Sequence, residues 1–221
     1  MTKKRIATMA TCIALVGAVA VGGTLALLTS PSDKVTNTFT IGEGYEDQDF
    51  YIDENAVKRD YSTGNYGGYI EDTDEGRGDA IAFKDVVAGT TLSKDPTLHI
   101  KSDAPASWVV AKITGLTENS GKLSLEGTIS GWYKLENGEL KQVTSAADLK
   151  DDTLYVYGTK LDADNLDTTP IFETVRVASN VAKGTTFTNI EVTGVAVEAL
   201  EGSEFNVDNM TAVLAAADEI I

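Results

Sequence analysis

The chain has 221 residues, 34 of them acidic and 18 basic, for a formal net charge of -16. That balance argues against a surface built to hold nucleic acid or anionic lipid, which needs clustered cations. One histidine and one cysteine leave no material for a disulfide framework or for a zinc site built on paired histidines.

Lys3, Lys4 and Arg5 open the chain, and an uncharged, largely apolar run follows to Leu28. Small residues Thr24 and Ala26 stand where a cleavage site needs them, which completes the three-part pattern of a secretory signal peptide. Residues 1–26 read as that signal, cleaved after Ala26. Left uncleaved, the same run would be a single membrane anchor. Cleavage removes Cys12 and the three cations, leaving an exported chain of about 195 residues with a charge near -19 and no cysteine. That length suits one domain.

Residues 27–34 read as an exposed arm, with Leu27 and Leu28 its only strongly apolar residues and Pro31 and Asp33 opposing helix. Residues 35–41 alternate: Val35, Phe39 and Ile41 share one face and Thr36, Thr38 and Thr40 the other, the pattern of a half-buried strand. Residues 43–80 then hold 12 acids against Lys58, Arg59 and Arg77, with tyrosines at irregular spacing. This insertion reads as either a mobile surface loop or a decorated hairpin, with a short strand at 49–52.

Strand signals follow at 80–87, 97–101, 107–114 and 123–126. They continue at 131–136, 139–143, 153–157, 171–177 and 186–197. In 107–114, Trp108 and Val110 fall on one face and Val109, Ala111 and Ile113 on the other, as in a strand buried on both sides. Asn137-Gly138 between two strand signals marks a tight hairpin, because both residues accept positive φ. Met210, Val213, Leu214 and Ala217 recur at helical spacing, so a helix is expected over 208–219 with Asn206 or Asp208 as its cap. The whole reads as an all-β chain, a β-sandwich over 35–221 with a long acidic insertion and a short C-terminal helix.

Little in the sequence points to catalysis. His99 is expected to face outward on its strand, and no Gly-x-Ser-x-Gly elbow is present. Asp72, Asp74 and Asp79, and separately Asp162, Asp164 and Asp167, offer hard oxygens on Gly-containing or polar turns. They read as solvated loops or as calcium sites, and no other cofactor is implied. Arg77-Gly78-Asp79 matches the cell-adhesion tripeptide, a pattern short enough to arise by chance. Tyr51, Tyr61, Tyr66 and Tyr69 read either as a recognition surface or as packing for the insertion. Trp108 and Trp132 read as core and hairpin packing residues and not as a sugar-stacking platform, Trp108 the safer of the two as core and Trp132, before the hairpin turn, open to exposure.

Gly22-Gly23-Thr24-Leu25-Ala26 followed by Val35-Thr36-Asn37-Thr38-Phe39-Thr40-Ile41-Gly42 resembles the secreted proteins processed by the signal peptidase SipW, the group that includes TasA and camelysin. The likeness continues at Val87-Ala88-Gly89-Thr90-Thr91-Leu92-Ser93-Lys94-Asp95-Pro96-Thr97-Leu98 and at Ile190-Glu191-Val192-Thr193-Gly194-Val195-Ala196-Val197-Glu198. The insertion at 43–80 departs from it. The resemblance implies a jelly-roll sandwich and secretion to the cell surface or a biofilm matrix. It also implies processing by a SipW-type peptidase and self-association into fibres, with the arm adding a strand to the next subunit. In that reading Leu27, Leu28, Val35, Phe39 and Ile41 form the assembly segment. Camelysin-like proteins have been described as metalloproteases, which a single histidine disfavours here. The alternative is a monomeric surface-binding or adhesion module that uses the insertion.

Overall fold

The computed structural model describes residues 29–32, 49–78 and 81–221. The signal peptide with Ala26, the arm residues Leu27 and Leu28, the strand expected at 35–41 with Val35, Phe39 and Ile41, and Asp79 lie outside the described residues.

The alternating runs become short strands in three sheets, with one short helix at the C-terminal end. One sheet has six strands, in the order β1 (Thr29–Ser32), β14 (Glu191–Glu198), β8 (Ser107–Thr114), β12 (Leu154–Tyr157), β10 (Trp132–Glu136) and β11 (Glu139–Gln142). A second has five, ordered β3 (Val57–Arg59), β4 (Tyr69–Glu71), β6 (Thr91–Ser93), β13 (Thr174–Val177) and β9 (Leu123–Glu126). The third sets β2 (Phe50–Asn55) between β5 (Arg77–Gly78) and β7 (Thr97–Ile100). Every pairing is antiparallel except that of β4 with β6.

β8 is the spine of the largest sheet, paired along its whole length with β14 from Ser107↔Glu198 to Thr114↔Glu191. Its two faces are both buried, as the sequence pattern requires. Val109, Ala111 and Ile113 join the larger core with Phe50, Leu98, Trp132 and Phe172, so all three sheets share it. Trp108 and Val110 join a smaller core beneath α1 (Val207–Asp218), whose Met210, Val213, Leu214 and Ala217 close over them. Asn206 caps this helix, its side chain accepting from the Asn209 N–H at 2.9 Å, which satisfies one of the free donors of the first turn. At the β10–β11 hairpin Asn137 and Gly138 take φ of 55° and 77°.

Three expectations need correction. The described part of the 43–80 insertion is woven into two sheets: β2 is the centre and β5 one edge of the third sheet, and β3–β4 extend the five-stranded one through Tyr69↔Leu92. It is therefore neither a mobile loop nor one hairpin. Residues 81–87 form no strand, because side chains take the groups a ladder would use. Arg59 donates to the carbonyls of Lys84 and Asp85, the Tyr69 hydroxyl holds Lys84 from both sides of its peptide, and Asp85 sits at φ 51°. The last two strands start late, at Thr174 and Glu191. Before β14, the Asn119 side chain holds the N–H and C=O of Thr188 in place of a neighbouring strand. Trp132 is fully buried, its Nε1 donating to the Thr169 carbonyl at 3.0 Å.

Candidate functional site

β2 places acids on both of its faces. Its alternation puts Phe50, Ile52 and Glu54 on one side and Tyr51, Asp53 and Asn55 on the other. Pairing with β7 sets Phe50 against Ile100 and Ile52 against Leu98 on the core side, and Tyr51 against His99 on the reverse.

The reverse side is a closed polar cluster. His99 is 6% exposed, not outward-facing as expected, because residues 166–168 pair alongside β7 and bring Asp167 to its ring, which Tyr51 and Asp53 of β2 close from the other flank. Its Nδ1 meets Asp167 Oδ1 at 2.7 Å and its Nε2 meets Asp53 Oδ1 at 2.8 Å, while the Tyr51 ring stacks on it at 4.8 Å. Burial pulls the His99 pKa down, but the hydrogen bonds to the two carboxylates outweigh it and the value rises above 6.5. Burial pushes Asp53 up, yet bonds from His99 and Arg77 prevail and hold its carboxyl below the ordinary range. Arg77 brackets two acids, with Nε on Asp53 at 2.5 Å and Nη1 on Asp95 at 2.8 Å. Asn55 donates to both oxygens of Asp95 at 2.8 Å. The imidazole is clamped between two carboxylates, which favour its protonated form, and both ring nitrogens are spent on them. Arg77 is committed to the cluster, so its tripeptide does not present a free guanidinium.

The other side of β2 faces an open, mostly apolar groove of about 650 Å³, within the roughly 300–1,000 Å³ range of ligand sites. Ile52 and Glu54 come from β2, Phe83 and Val86 from the strandless stretch after β5, and Leu92 from β6. Leu123 and Val175 form one wall, and Phe187, Ile190 and Val192 the other. Glu54 is 6% exposed and pairs through Oε1 with Lys94, which also lines the groove. Its Oε2 is buried and has no hydrogen-bond partner. Such an oxygen costs more than the roughly 1–3 kcal/mol of a neutral orphan. Sequence reading missed this residue, although an acid two places after Ile52 and four after Phe50 was visible as an acid on an apolar face.

The edge of the six-stranded sheet beside this groove is β1, the described part of the arm. It is four residues long and touches its sheet only through β14, from Thr29↔Val197 to Ser32↔Gly194. Pro31, opposite Val195, brings no N–H to that ladder.

The remaining predicted residues are dispersed. Tyr61 and Tyr66 are 72% and 68% exposed, with ring centres 6.0 Å apart on one turn. That turn is pinned by the Asp60 carboxylate, which accepts from the Ser62 N–H and from Asn65 Nδ2, both at 2.8 Å. Tyr69 is structural, set edge-on to Phe83 and under the Arg59 guanidinium. Asp72 takes the Lys58 ammonium at 2.8 Å, with Asp74 at 3.5 Å from the same ammonium. Asp162 holds the Asp164 N–H, while Asp167 turns away to His99. Neither acidic set converges, and among the described residues no group of three or more His, Cys, Asp or Glu could hold a metal ion. Among them, too, no helix is long and apolar enough to cross a membrane.

Comparison with family models, with curated proteins and with solved structures finds no match for the chain.

Proposed function

We propose that the chain is an exported, non-enzymatic structural protein, a jelly-roll-like β-sandwich that polymerises at the cell surface or in an extracellular matrix. Assembly uses the N-terminal arm of one subunit as an added strand for the next, in the manner of the SipW-processed proteins it resembles. The observation that carries the reading is the apolar groove beside a thinly held edge arm. An apolar channel of this size in a strongly acidic chain calls for an apolar partner, and a short edge strand hydrogen-bonded to a single neighbour, although it also lies against β2, is a segment open to exchange. The clamped imidazole supports a structural role, since His99 has no ring nitrogen left for a substrate.

The test compares the mature chain beginning at Leu27 with one beginning at Val35, by light scattering and electron microscopy across concentration, with and without calcium. Polymers from the first and monomers from the second are expected. Monomers from both in every condition would remove the assembly reading.

A second reading is favoured by Tyr61 and Tyr66, two exposed rings on a pinned turn: a monomeric adhesion module that binds a protein or glycan through them. Replacing both with Ser would abolish surface attachment in that case and leave it unchanged in the first.

A further inference from the structure

We infer that Lys94 and Glu54 are the two halves of an intramolecular isopeptide cross-link. The lysine amine condenses with the glutamate carboxyl, and the new amide joins β2 covalently to the residue that follows β6. The exported chain proposed above has no cysteine once Cys12 leaves with the signal, so a staple of this kind stands where a disulfide would otherwise be needed. It serves the single molecule whether or not copies assemble.

Three observations lead to it. The pair is sheltered at both ends: the Lys94 side chain is 11% exposed and that of Glu54 7%, whereas every other lysine paired with a carboxylate among the described residues is at least 21% exposed. The reacting groups are already in contact, Nζ donating to Oε1, and among the described residues this carboxylate is the ammonium's one acceptor. Glu54 Oε2 is buried with no partner, a state that buried polar atoms seldom keep. Condensation removes that defect. A carboxylate has two oxygens to satisfy and an amide carbonyl only one, and the two buried charges vanish with the second oxygen. Ile52 and Leu92, each two residues ahead of a partner, line the same groove as the pair, so the surroundings are apolar.

The step balances within the pair. One proton passes from Nζ to a carboxylate oxygen, giving an amine and a carboxylic acid, and apolar walls ease the transfer because they hydrate neither charge. The freed lone pair on Nζ attacks Glu54 Cδ. The C–N bond forms, one C–O bond breaks, and a second Nζ proton departs with the hydroxyl as water. No atom is oxidised or reduced. Proximity in the fold stands in for an activated acid, and the open groove that both residues line gives the water a way out. Folding therefore comes first: pairing with β5 and β7 places Glu54, and the Lys94 N–H on the Glu173 carbonyl places Lys94. The bridge spans 40 positions of chain and ties the third sheet to the five-stranded one, restricting the unfolded chain as a disulfide does.

Mass spectrometry of the mature, folded chain tests the cross-link. The intact mass is expected to fall short of the sequence mass by one water. Trypsin is expected to leave Lys94 uncut and to release one branched peptide, which joins the segment ending at Lys58 to the segment ending at Lys101. Lys94→Arg keeps a cation opposite Glu54 but has no amine to acylate, so its mass should be that of the linear chain. A native chain of full mass that trypsin cuts after Lys94 overturns the inference, and the pair is then an ion pair alone. A missing water that maps to a linear peptide, or that persists in Lys94→Arg, overturns it as well. The native peptide map decides the matter by itself if the variant does not fold.

Discussion

Replacing His99 with Gln tests the polar cluster behind β2. His99 donates to Asp53, which is mostly buried, and to Asp167, which is 65% exposed. The exposed contact is worth the roughly 0–1 kcal/mol of a surface pair. The sheltered one, a hydrogen bond between charged groups, contributes about 1.5–3 kcal/mol. Arg77 stays on Asp53 in the variant, so the acid is not orphaned, and the expected loss is about 2 kcal/mol near pH 5.5.

The pH dependence carries the sharper test. The folded protein holds the His99 proton more tightly than the unfolded chain does. The stabilisation is therefore complete below about 6.5, the unfolded value, and fades as pH rises through the folded one. Above it a neutral imidazole turns a lone pair toward one of its two carboxylates. Urea unfolding of both proteins from about pH 5.5 to about pH 8.5 should show the advantage of the native chain shrinking toward alkaline pH. The lowered carboxyl of Asp53 acts in the opposite sense, with stability present above 3.8 and lost as pH falls through its folded value, and that range lies below the window measured. A difference that stays level, or grows with pH, would refute the charged-histidine assignment.

Two further outcomes test the fold. Gly138 and Gly115 both have positive φ, but a Cβ at Gly138 meets open space, whereas at Gly115 it would stand 2.0 Å from the Asn189 carbonyl oxygen. Gly138→Ala should cost about 1 kcal/mol and Gly115→Ala about 3 kcal/mol, read from denaturation midpoints; equal losses would mean that the approach before β14 is not close. Trp132→Ala should cost about 4 kcal/mol and Trp132→Phe, which keeps an aromatic ring but loses the bond to Thr169, about 2 kcal/mol. Thermal melts that do not separate the two variants would contradict the burial of the indole nitrogen.

Legibility followed the source of each element's stability. Where local pattern and turn chemistry were sufficient, the reading agreed with the structure: the Asn137-Gly138 hairpin, the Asn206-capped helix and the two-sided burial of β8 all rest on near neighbours in sequence. Where distant side chains decide, it did not. Residues 81–87 have strand composition, but Arg59 and Tyr69 occupy their carbonyls and so replace a ladder with side-chain bonds. His99 and Thr97 do alternate against Leu98 and Ile100, as read; the face called outward is closed at His99 by Asp167, which bridges beside it, and by Tyr51 and Asp53 of β2, all more than forty positions away. No local signal carries that information.

The acids of β2 explain why composition alone misleads about the 43–80 stretch. Its net negative charge suggests a solvated loop, yet Asp53 and Glu54 are drawn into the fold because cations meet them: Arg77 of the same stretch and His99 of β7 on one face, Lys94 on the other. On the reverse face Asp53 is held by His99 and Arg77, and Asp95 by Arg77 and Asn55, in one connected network. On the core face the matching stops one oxygen short, at a position where Phe50 and Ile52 would make an apolar residue the natural choice. A leucine at residue 54 would fill the groove floor without leaving a carboxylate orphaned.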